Sequence, residues 1–518
     1  MTENERNILR TARSLLEQGI NRETGQLADM NKINESVESA IFMYAQMYGQ
    51  PDCDADDLVN ALRQEFTITQ GAYTILTDEG TDHKEWWTAK RNELEESDGL
   101  PYWERYKLHL SDSISQTVVA KLDRLTDDIL GRIENPNRTG SWDRRGLVVG
   151  QVQSGKTSNY TGLICKAVDA GYKLVIVLAG MHNNLRAQTQ LRLDEGFLGF
   201  DTSMALRLED NVSSKIGVGL GSLGRVPNPA ISLTTNSENG DFKTSRANNA
   251  GIPLGGSPVI LVVKKNKGVL ENLINWIKSR EGSEDEDGNT HVANVPMLLI
   301  DDEADNASVN AATKPGQVAA INGKVREILK LMRQSSYVGY TATPFANVFI
   351  EPSDESDAVS QYGKDIYPEH FIVNIKAPSN YFGPLRVFGL RNDEFSSLEE
   401  QEALPLVNNI DTDEFNIYFP PRHKKDLIVE GLPSDLEDAV MSFILTIAAR
   451  RVRGQKDVHN SMLVHISLFQ AVQDQIKELL QDRFDAIKNC VLGSDPSTLQ
   501  SFKYIWDNDF CPTTIEMQ

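Results

Sequence analysis

Five short apolar runs mark the middle of the chain: Leu147–Val149, Leu174–Leu178, Val259–Val263, Met297–Ile300 and Tyr337–Gly339. None alternates apolar with polar residues. Continuous runs of this length fit strands of a parallel sheet covered on both faces, and they predict an α/β unit over residues 140–350. Upstream the period changes. Ile8, Leu9, Ala12, Leu15 and Leu16 share one helical face, and Asp54 is placed to cap a helix carrying Leu58, Ala61, Leu62 and Phe66. A further helix is expected from Ser111 to Ile133, so residues 1–139 read as a helical N-terminal region. Within it Trp86, Trp87, Tyr102, Trp103 and Tyr106 form an aromatic-rich stretch. Core packing is the preferred reading, ahead of a platform for stacked bases.

Downstream the pattern is less regular. Phe200 to Ser257 is rich in Gly, Ser and Asn and reads as a long loop. Residues 351–433, with many prolines and aromatics, read as an inserted accessory α+β segment. Pro433 to Arg453 predicts a strong helix, opened by a capping box of Ser434 and Glu437 and closed by Arg450, Arg451 and Arg453 at its negative end. Met462–Ile466 follows as a buried strand and Phe469–Phe484 as its helix.

Chemistry enters with Gly150-Gln151-Val152-Gln153-Ser154-Gly155-Lys156-Thr157, which lies between the first apolar run and a helical stretch, Ser158 to Ala170. Strand, glycine loop ending in Gly-Lys-Thr, then helix is the P-loop arrangement. Glycines let backbone N–H groups converge on phosphate oxygens, and the helix N-terminus favours negative charge. Gly150, Gln153, Ser154, Gly155, Lys156 and Thr157 are thus expected to hold ATP. Lys156 would reach the β- and γ-phosphates, and the Thr157 hydroxyl would ligate Mg²⁺. The run Met297–Ile300 ends in Asp301-Asp302-Glu303-Ala304-Asp305, the order of a Walker B strand. Asp302 is expected to hold the metal, with Glu303 as the base that orients and deprotonates water. Tyr337–Tyr340 then leads into Thr341-Ala342-Thr343, which resembles the Ser/Thr-Ala-Thr motif of superfamily-two helicases, and that resemblance implies that Asp305, Thr341 and Thr343 couple the nucleotide site to a nucleic-acid groove. These motifs make the expected fold a RecA-like P-loop domain with a parallel sheet. The helical region precedes it, the inserted α+β segment follows it, and residues 434–518 read as the start of a second, truncated RecA-like domain.

At 518 residues the chain is too long for one core. No apolar stretch reaches membrane-span length and the N-terminus has no signal-peptide core, so no membrane partner is expected. Four scattered cysteines without Cys-x-x-Cys spacing argue against a zinc site and a disulfide framework, and point to a reducing, cytoplasmic home. The net charge of −22 means that any nucleic-acid footprint must be local. Two candidates follow apolar strands: Asn184, Arg186 and Gln188 after Leu174–Leu178, and Lys264 and Lys265 after Val259–Val263. A loop that merely packs the next helix is the alternative for the first.

Several stretches together resemble the Z-one domain family, which carries an endonuclease label. They are Arg145–Tyr160, Asp169–Tyr172, Leu178–Arg192, Asp301–Asn306, Tyr340–Ala346 and Asn460–His465, a resemblance spanning about 80 to 518. It implies a superfamily-two helicase-like ATPase of prokaryotic defence systems, encoded beside nucleases, methyltransferases or MORC-type ATPases. The family pattern runs on past Gln518, into the part that would supply an arginine finger. The expected function is a nucleic-acid-dependent ATPase or translocase motor acting on DNA in an antiphage or restriction-type system. An endonuclease with an unrecognised centre and a nucleotide-gated assembly switch are the alternatives. Carboxylate and lysine spacings at Glu104–Lys107 and Gln475–Lys477 lie on no convincing β-hairpin, so resemblance alone supplies the nuclease idea.

Overall fold

All five apolar runs form strands, and all five lie in one sheet. The computed structural model describes residues 2–18, 30–67, 73–78, 83–97, 99–112, 114–150, 155–204, 214–223, 226–285, 288–310, 318–350, 361–376, 381–390, 402–455 and 458–516. It divides into two compact units, Met1–Tyr381 and Phe382–Gln518. The first unit opens with helices α1 (Glu3–Gln18), α2 (Met30–Tyr48) and α3 (Ala55–Thr67), strand β1 (Thr74–Thr77), and helices α4 (Trp87–Glu96), α5 (Pro101–Ser111) and α6 (Gln116–Leu130). Then come β2 (Trp142–Gly150), α7 (Lys156–Ala170), β3 (Leu174–Ala179), α8 (Asn183–Leu193), β4 (Ile231–Ser232), α9 (Thr244–Ala250), β5 (Val259–Val263) and α10 (Lys267–Glu281). A two-residue ribbon, β6 (Ser283–Glu284) and β7 (Thr290–His291), precedes β8 (Met297–Asp302), α11 (Ala320–Leu331), β9 (Gln334–Thr341), α12 (Phe345–Val348) and β10 (Phe371–Ile375).

The eight-stranded sheet has the order β1-β10-β2-β9-β8-β3-β5-β4, parallel throughout except for β1 against β10. Alternation along each strand feeds two cores. Val175, Val177, Ile260, Val262, Leu298 and Ile300 face α5, α6 and α7 on one side. Leu174, Ile176, Leu178, Val259, Leu261, Met297 and Leu299 face α10 and α11 on the other. Burial on both faces is why the runs carry no polar alternation.

The N-terminal region packs as expected in its helices. Ile8, Leu9, Ala12, Leu16, Leu58 and Leu62 make a separate small core, and Asp54 Oδ1 accepts from Asp56 N at 2.9 Å at the start of α3. The Phe66 side chain lies outside the described residues. All five aromatics from Trp86 to Tyr106 are buried. Trp86 Nε1 donates to Ile133 O (2.9 Å) and the Tyr102 hydroxyl to Asn228 O (2.8 Å), so these two are core groups with satisfied polar ends. Beneath them lies Lys166, its side chain fully buried. Its ammonium meets Asp123 Oδ1 (2.5 Å) and Asp127 Oδ1 (2.7 Å) and lies 4.3 Å from the Trp103 ring centroid. One α7 residue caps another helix: Asp169 accepts from Tyr102 N (3.1 Å) and Trp103 N (3.0 Å) at the start of α5.

Four expectations need correction. The N-terminal region is not wholly helical, because β1 extends the main sheet. The domain does not end at 350: β10 runs parallel to β2, and Phe371 fills the space above Gly146, where a Cβ would come within 2.1 Å of its ring. Part of the 351–433 segment is therefore sheet, not accessory. The Phe200–Ser257 stretch is not one open loop either, since β4 pairs with β5 and α9 packs against α10. Residues 205–213 and 224–225 of that stretch lie outside the described residues.

The fourth correction concerns the second unit, described here by itself. It comprises α13 (Pro384–Phe388), α14 (Thr412–Tyr418), α15 (Ser434–Val452), α16 (Gln470–Leu492), α17 (Pro496–Ile505) and α18 (Cys511–Glu516), with no strand element among its described residues. Among the described residues Met462–Ile466 has no partner strand and forms no ladder; Leu463 is 89% exposed while Val464 and Ile466 pack toward α16. The capping box does not form. Ser434 N and Oγ instead bond the Glu414 carboxylate at 2.9 and 2.6 Å, and Glu437 pairs with Arg483 at 2.8 Å.

Two stability predictions follow from the buried charges. Lys166→Ala leaves Asp123 and Asp127 without the buried ammonium and should cost about 3–5 kcal/mol in urea unfolding. The second concerns pH. Burial pushes the Asp169 carboxyl up to about 7, against the two N–H bonds that favour its charge. A carboxyl whose folded pKa exceeds its unfolded value near ~4 binds protons better when folded. Its contribution is full below pH ~4 and declines as pH rises to about 7, where the folded group ionises. Asp169→Asn should flatten that part of the unfolding free energy measured against pH.

Candidate functional site

In a parallel sheet every strand ends on the same edge, and here that edge gathers the three motifs. β2 ends at Gly150 and α7 begins at Lys156. Gln153 and Ser154 lie outside the described residues. Gly155 has φ +80°, with nothing within 4 Å of a built Cβ, so conformation and not crowding requires the glycine. Lys156 Nζ donates to Gly150 O at 3.0 Å, spanning the loop. Burial lowers the Lys156 pKa, and the charges of Asp302, Asp305 and Glu303 partly oppose it. Thr157 Oγ1 accepts from Arg192 Nη1 at 3.0 Å.

β9 lies between β2 and β8, with Val149 beside Thr341 and Tyr340 beside Asp302. Asp301 is fully buried, bonded by the Tyr337 hydroxyl (2.7 Å) and ion-paired with Lys265 (2.8 Å). Asp302 Oδ2 accepts from the Tyr160 hydroxyl (3.3 Å) and Oδ1 from Glu303 N (3.1 Å). Burial raises the Asp302 pKa, Glu303 raises it further, and Lys156 opposes both. Glu303 takes φ +53°, uncommon for a residue with a side chain, and so turns the chain sharply at the strand end. Its Oε2 lies 3.8 Å from the Cβ position of Gly180, at the end of β3.

Asp305, Thr341 and Thr343 come together. The Thr341 hydroxyl donates to Asp305 Oδ1 (2.6 Å), the Thr343 hydroxyl donates to Oδ2 (2.7 Å), and Thr343 N donates to Thr341 Oγ1 (3.0 Å). Burial would raise the Asp305 pKa, but the two hydroxyl bonds outweigh it and hold it below the usual carboxylate range. Ala304 N also bonds Tyr340 O at 3.0 Å, tying the loop after β8 to β9.

The expected nucleic-acid residues divide. Asn184 and Gln188 are exposed one helical turn apart on α8, and Lys264 is half-buried with Nζ on Asn183 Oδ1 (2.9 Å). Arg186 needs correction: it is fully buried, and its guanidinium donates to Thr235 O (2.9 Å), Ser237 O (2.6 Å) and Val262 O (3.4 Å). Helical periodicity turns position 186 inward while 184 and 188 face out. Lys265 needs the same correction, since it is committed to Asp301, Glu303 O (2.5 Å) and Asn306 O (3.0 Å). Consecutive residues leaving a strand point to opposite sides, so Lys264 and Lys265 cannot line one groove. Sequence reading missed Tyr160, Tyr340 and Arg192. Tyr160 was findable, because it follows Thr157 by three residues and so shares its helix face.

Glu104–Lys107 and Gln475–Lys477 lie on helices α5 and α16. Among the described residues no group of three or more His, Cys, Asp or Glu side chains is placed to hold a metal ion, and no helix is long and apolar enough to cross a membrane.

Residues 435–518 match the family model described as the Z1 domain, the Z-one family, a narrower span than the expected 80 to 518. No curated protein sequence matches the chain. A solved structure titled as the ATP-dependent Type ISP restriction-modification enzyme LlaBIII bound to DNA aligns at 15% identity and a TM-score of 0.24. The alignment covers 43% of this chain and 13% of that one, and a likeness that low carries no argument.

The two buried cations give a direct check. Lys265→Met strands the Asp301 carboxylate and should cost about 3–5 kcal/mol in urea unfolding. Arg186→Met should cost roughly 2–4 kcal/mol, through three orphaned carbonyls. Asn184→Ala and Gln188→Ala, both exposed, should stay within about 0.5 kcal/mol.

Proposed function

We propose that this chain is an ATP hydrolase with a RecA-like P-loop domain, a helicase-like motor that couples Mg²⁺-dependent ATP hydrolysis to DNA in an antiphage or restriction-type system. The observation that carries the reading is Asp305, held by the Thr341 and Thr343 hydroxyls on the sheet edge that also presents Lys156, Thr157, Asp302 and Glu303. A strand-end carboxylate bonded to both hydroxyls of a Thr-Ala-Thr turn gives the nucleotide site a connection to the loop after β9, as a coupled motor needs.

The residues fit the substrate. Lys156, with the N-terminus of fifteen-residue α7, supplies positive charge for the β- and γ-phosphates. The Thr157 hydroxyl and the Asp302 carboxylate are hard oxygen donors suited to Mg²⁺. Mg²⁺ would neutralise the charge that develops on the phosphoryl oxygens. Glu303, set apart from Asp302 by its left-handed turn, would orient and deprotonate the attacking water. Asn184 and Gln188 remain surface candidates for DNA, with Lys264 beside them. By family resemblance the partners would include a nuclease, a methyltransferase or a MORC-type ATPase. The second reading, a nucleotide-gated switch, would bind ATP without DNA-stimulated turnover.

The expected outcome is a split between two variants. Lys156→Ala should abolish tight ATP binding, since the lysine meets ground-state phosphate charge. Glu303→Gln should bind ATP as wild type does and lose hydrolysis by roughly 10²–10⁴-fold. Binding measured with a fluorescent ATP analogue and phosphate release with and without duplex DNA distinguish them. Equal loss of binding in both variants would remove Glu303 from its role, and turnover indifferent to DNA would favour the switch.

A further inference from the structure

Arg192 is exposed in the last turn of α8, yet its Nη1 donates at 3.0 Å to the Thr157 hydroxyl oxygen. That oxygen is the one the preceding reading gives to Mg²⁺, and the inference rests on that reading. A hydroxyl oxygen that accepts from a guanidinium already has its electron density directed at one cation. Mg²⁺ binds its oxygen ligands at about 2.1 Å. With the arginine still in place, two cations would crowd one neutral oxygen with little water between them, and their repulsion is strong at such range. The two contacts therefore compete.

Arg192 also has somewhere to go. Tyr160 lies one turn along α7 from Thr157 and donates to Asp302 at 3.3 Å. Through its bond to Thr157 the guanidinium lies at the first turn of α7, the end to which the preceding reading assigns the phosphate chain. Planar, with five donors, it suits phosphate oxygens better than a lone hydroxyl. Its position on α8 adds a consequence. Asn184, Gln188 and Arg192 fall at every fourth residue and are all exposed, so one helix face carries the remaining nucleic-acid candidates at one end and the Thr157 contact at the other.

We propose that Arg192 is an arginine of the nucleotide site supplied in cis. It holds the Thr157 hydroxyl, yields that oxygen to Mg²⁺ on metal binding, and then sits against the phosphate oxygens of the nucleotide.

The test uses the full chain and a fluorescent ATP analogue, titrated across Mg²⁺ concentrations for wild type, Arg192→Ala, Arg192→Gln and Lys156→Ala. Removing the competing cation should lower the Mg²⁺ concentration for half-maximal nucleotide binding by about three- to tenfold in Arg192→Ala. Glutamine, uncharged and two bonds too short to reach the Thr157 hydroxyl from the same backbone, should show the same shift. At saturating Mg²⁺ both variants should bind nucleotide about tenfold more weakly, through loss of a charge-assisted contact. Because Arg192 is exposed, their urea unfolding midpoints should match wild type. An unchanged Mg²⁺ midpoint in Arg192→Ala, or unchanged affinity at saturating Mg²⁺, overturns the proposal. If wild type binds nucleotide and Lys156→Ala does not, that failure belongs to Arg192 alone. If wild type and Lys156→Ala fail alike to bind, the ATP reading falls and this inference with it.

Discussion

The loop that carries the acidic residues is organised by one buried amine. The Lys265 ammonium donates to Glu303 O and Asn306 O and is ion-paired with Asp301 Oδ1. Its own backbone N–H bonds Gly180 O at the end of β3. A single side chain at the end of β5 thereby fixes the last residues of β8 and the turn beyond them. The left-handed conformation of Glu303 costs on the order of 1–3 kcal/mol and persists where surrounding structure over-determines it. The lysine supplies that constraint, since the Glu303 carbonyl cannot leave it without exposing a buried ammonium.

A second connection runs through aromatic rings. Tyr160 on α7 and Tyr340 on β9 meet edge to face with centroids 5.5 Å apart. The Tyr340 hydroxyl donates to Asn159 (2.7 Å), and the Tyr340 carbonyl accepts from Ala304. One strand residue thus touches both the helix that begins at Lys156 and the loop that holds Asp305. Displacement of either loop must pass through a buried, closely packed pair, and such packing transmits small shifts without absorbing them.

Much of this was legible in the residues. Val259–Val263 could be read to the residue, because burial on both faces leaves an unbroken apolar run. The Asp305, Thr341 and Thr343 grouping was legible for the same reason: both motifs follow such runs, and parallel strands end together. What escaped reading depends on direction within an element. Arg186 looked like a surface cation until the turn of α8 put it beneath the Thr235–Ser237 backbone. Strand β10 was hidden because Asn374 interrupts its run and it lies beyond the last motif, while β1 is a four-residue edge strand with only Ile75 packed inward. Met462–Ile466 shows the converse. Its composition is that of a strand, but no neighbour among the described residues supplies a ladder, and tertiary context overrides propensity.

The sheet order also bears on how the chain reaches this state. The strand ending in Gly150 is flanked by β9 and β10, which arrive nearly two hundred residues or more later in the chain, and Thr74 is paired with Asn374 across three hundred. Loop closure must precede every one of these pairings, so the fold belongs to the slow, high-contact-order class. During synthesis the glycine loop emerges early, yet neither edge of its strand can be closed until residue 341 and then residue 375 have been made. For that interval the nascent chain presents an apolar strand with two open edges, the kind of surface that invites mispairing and chaperone capture.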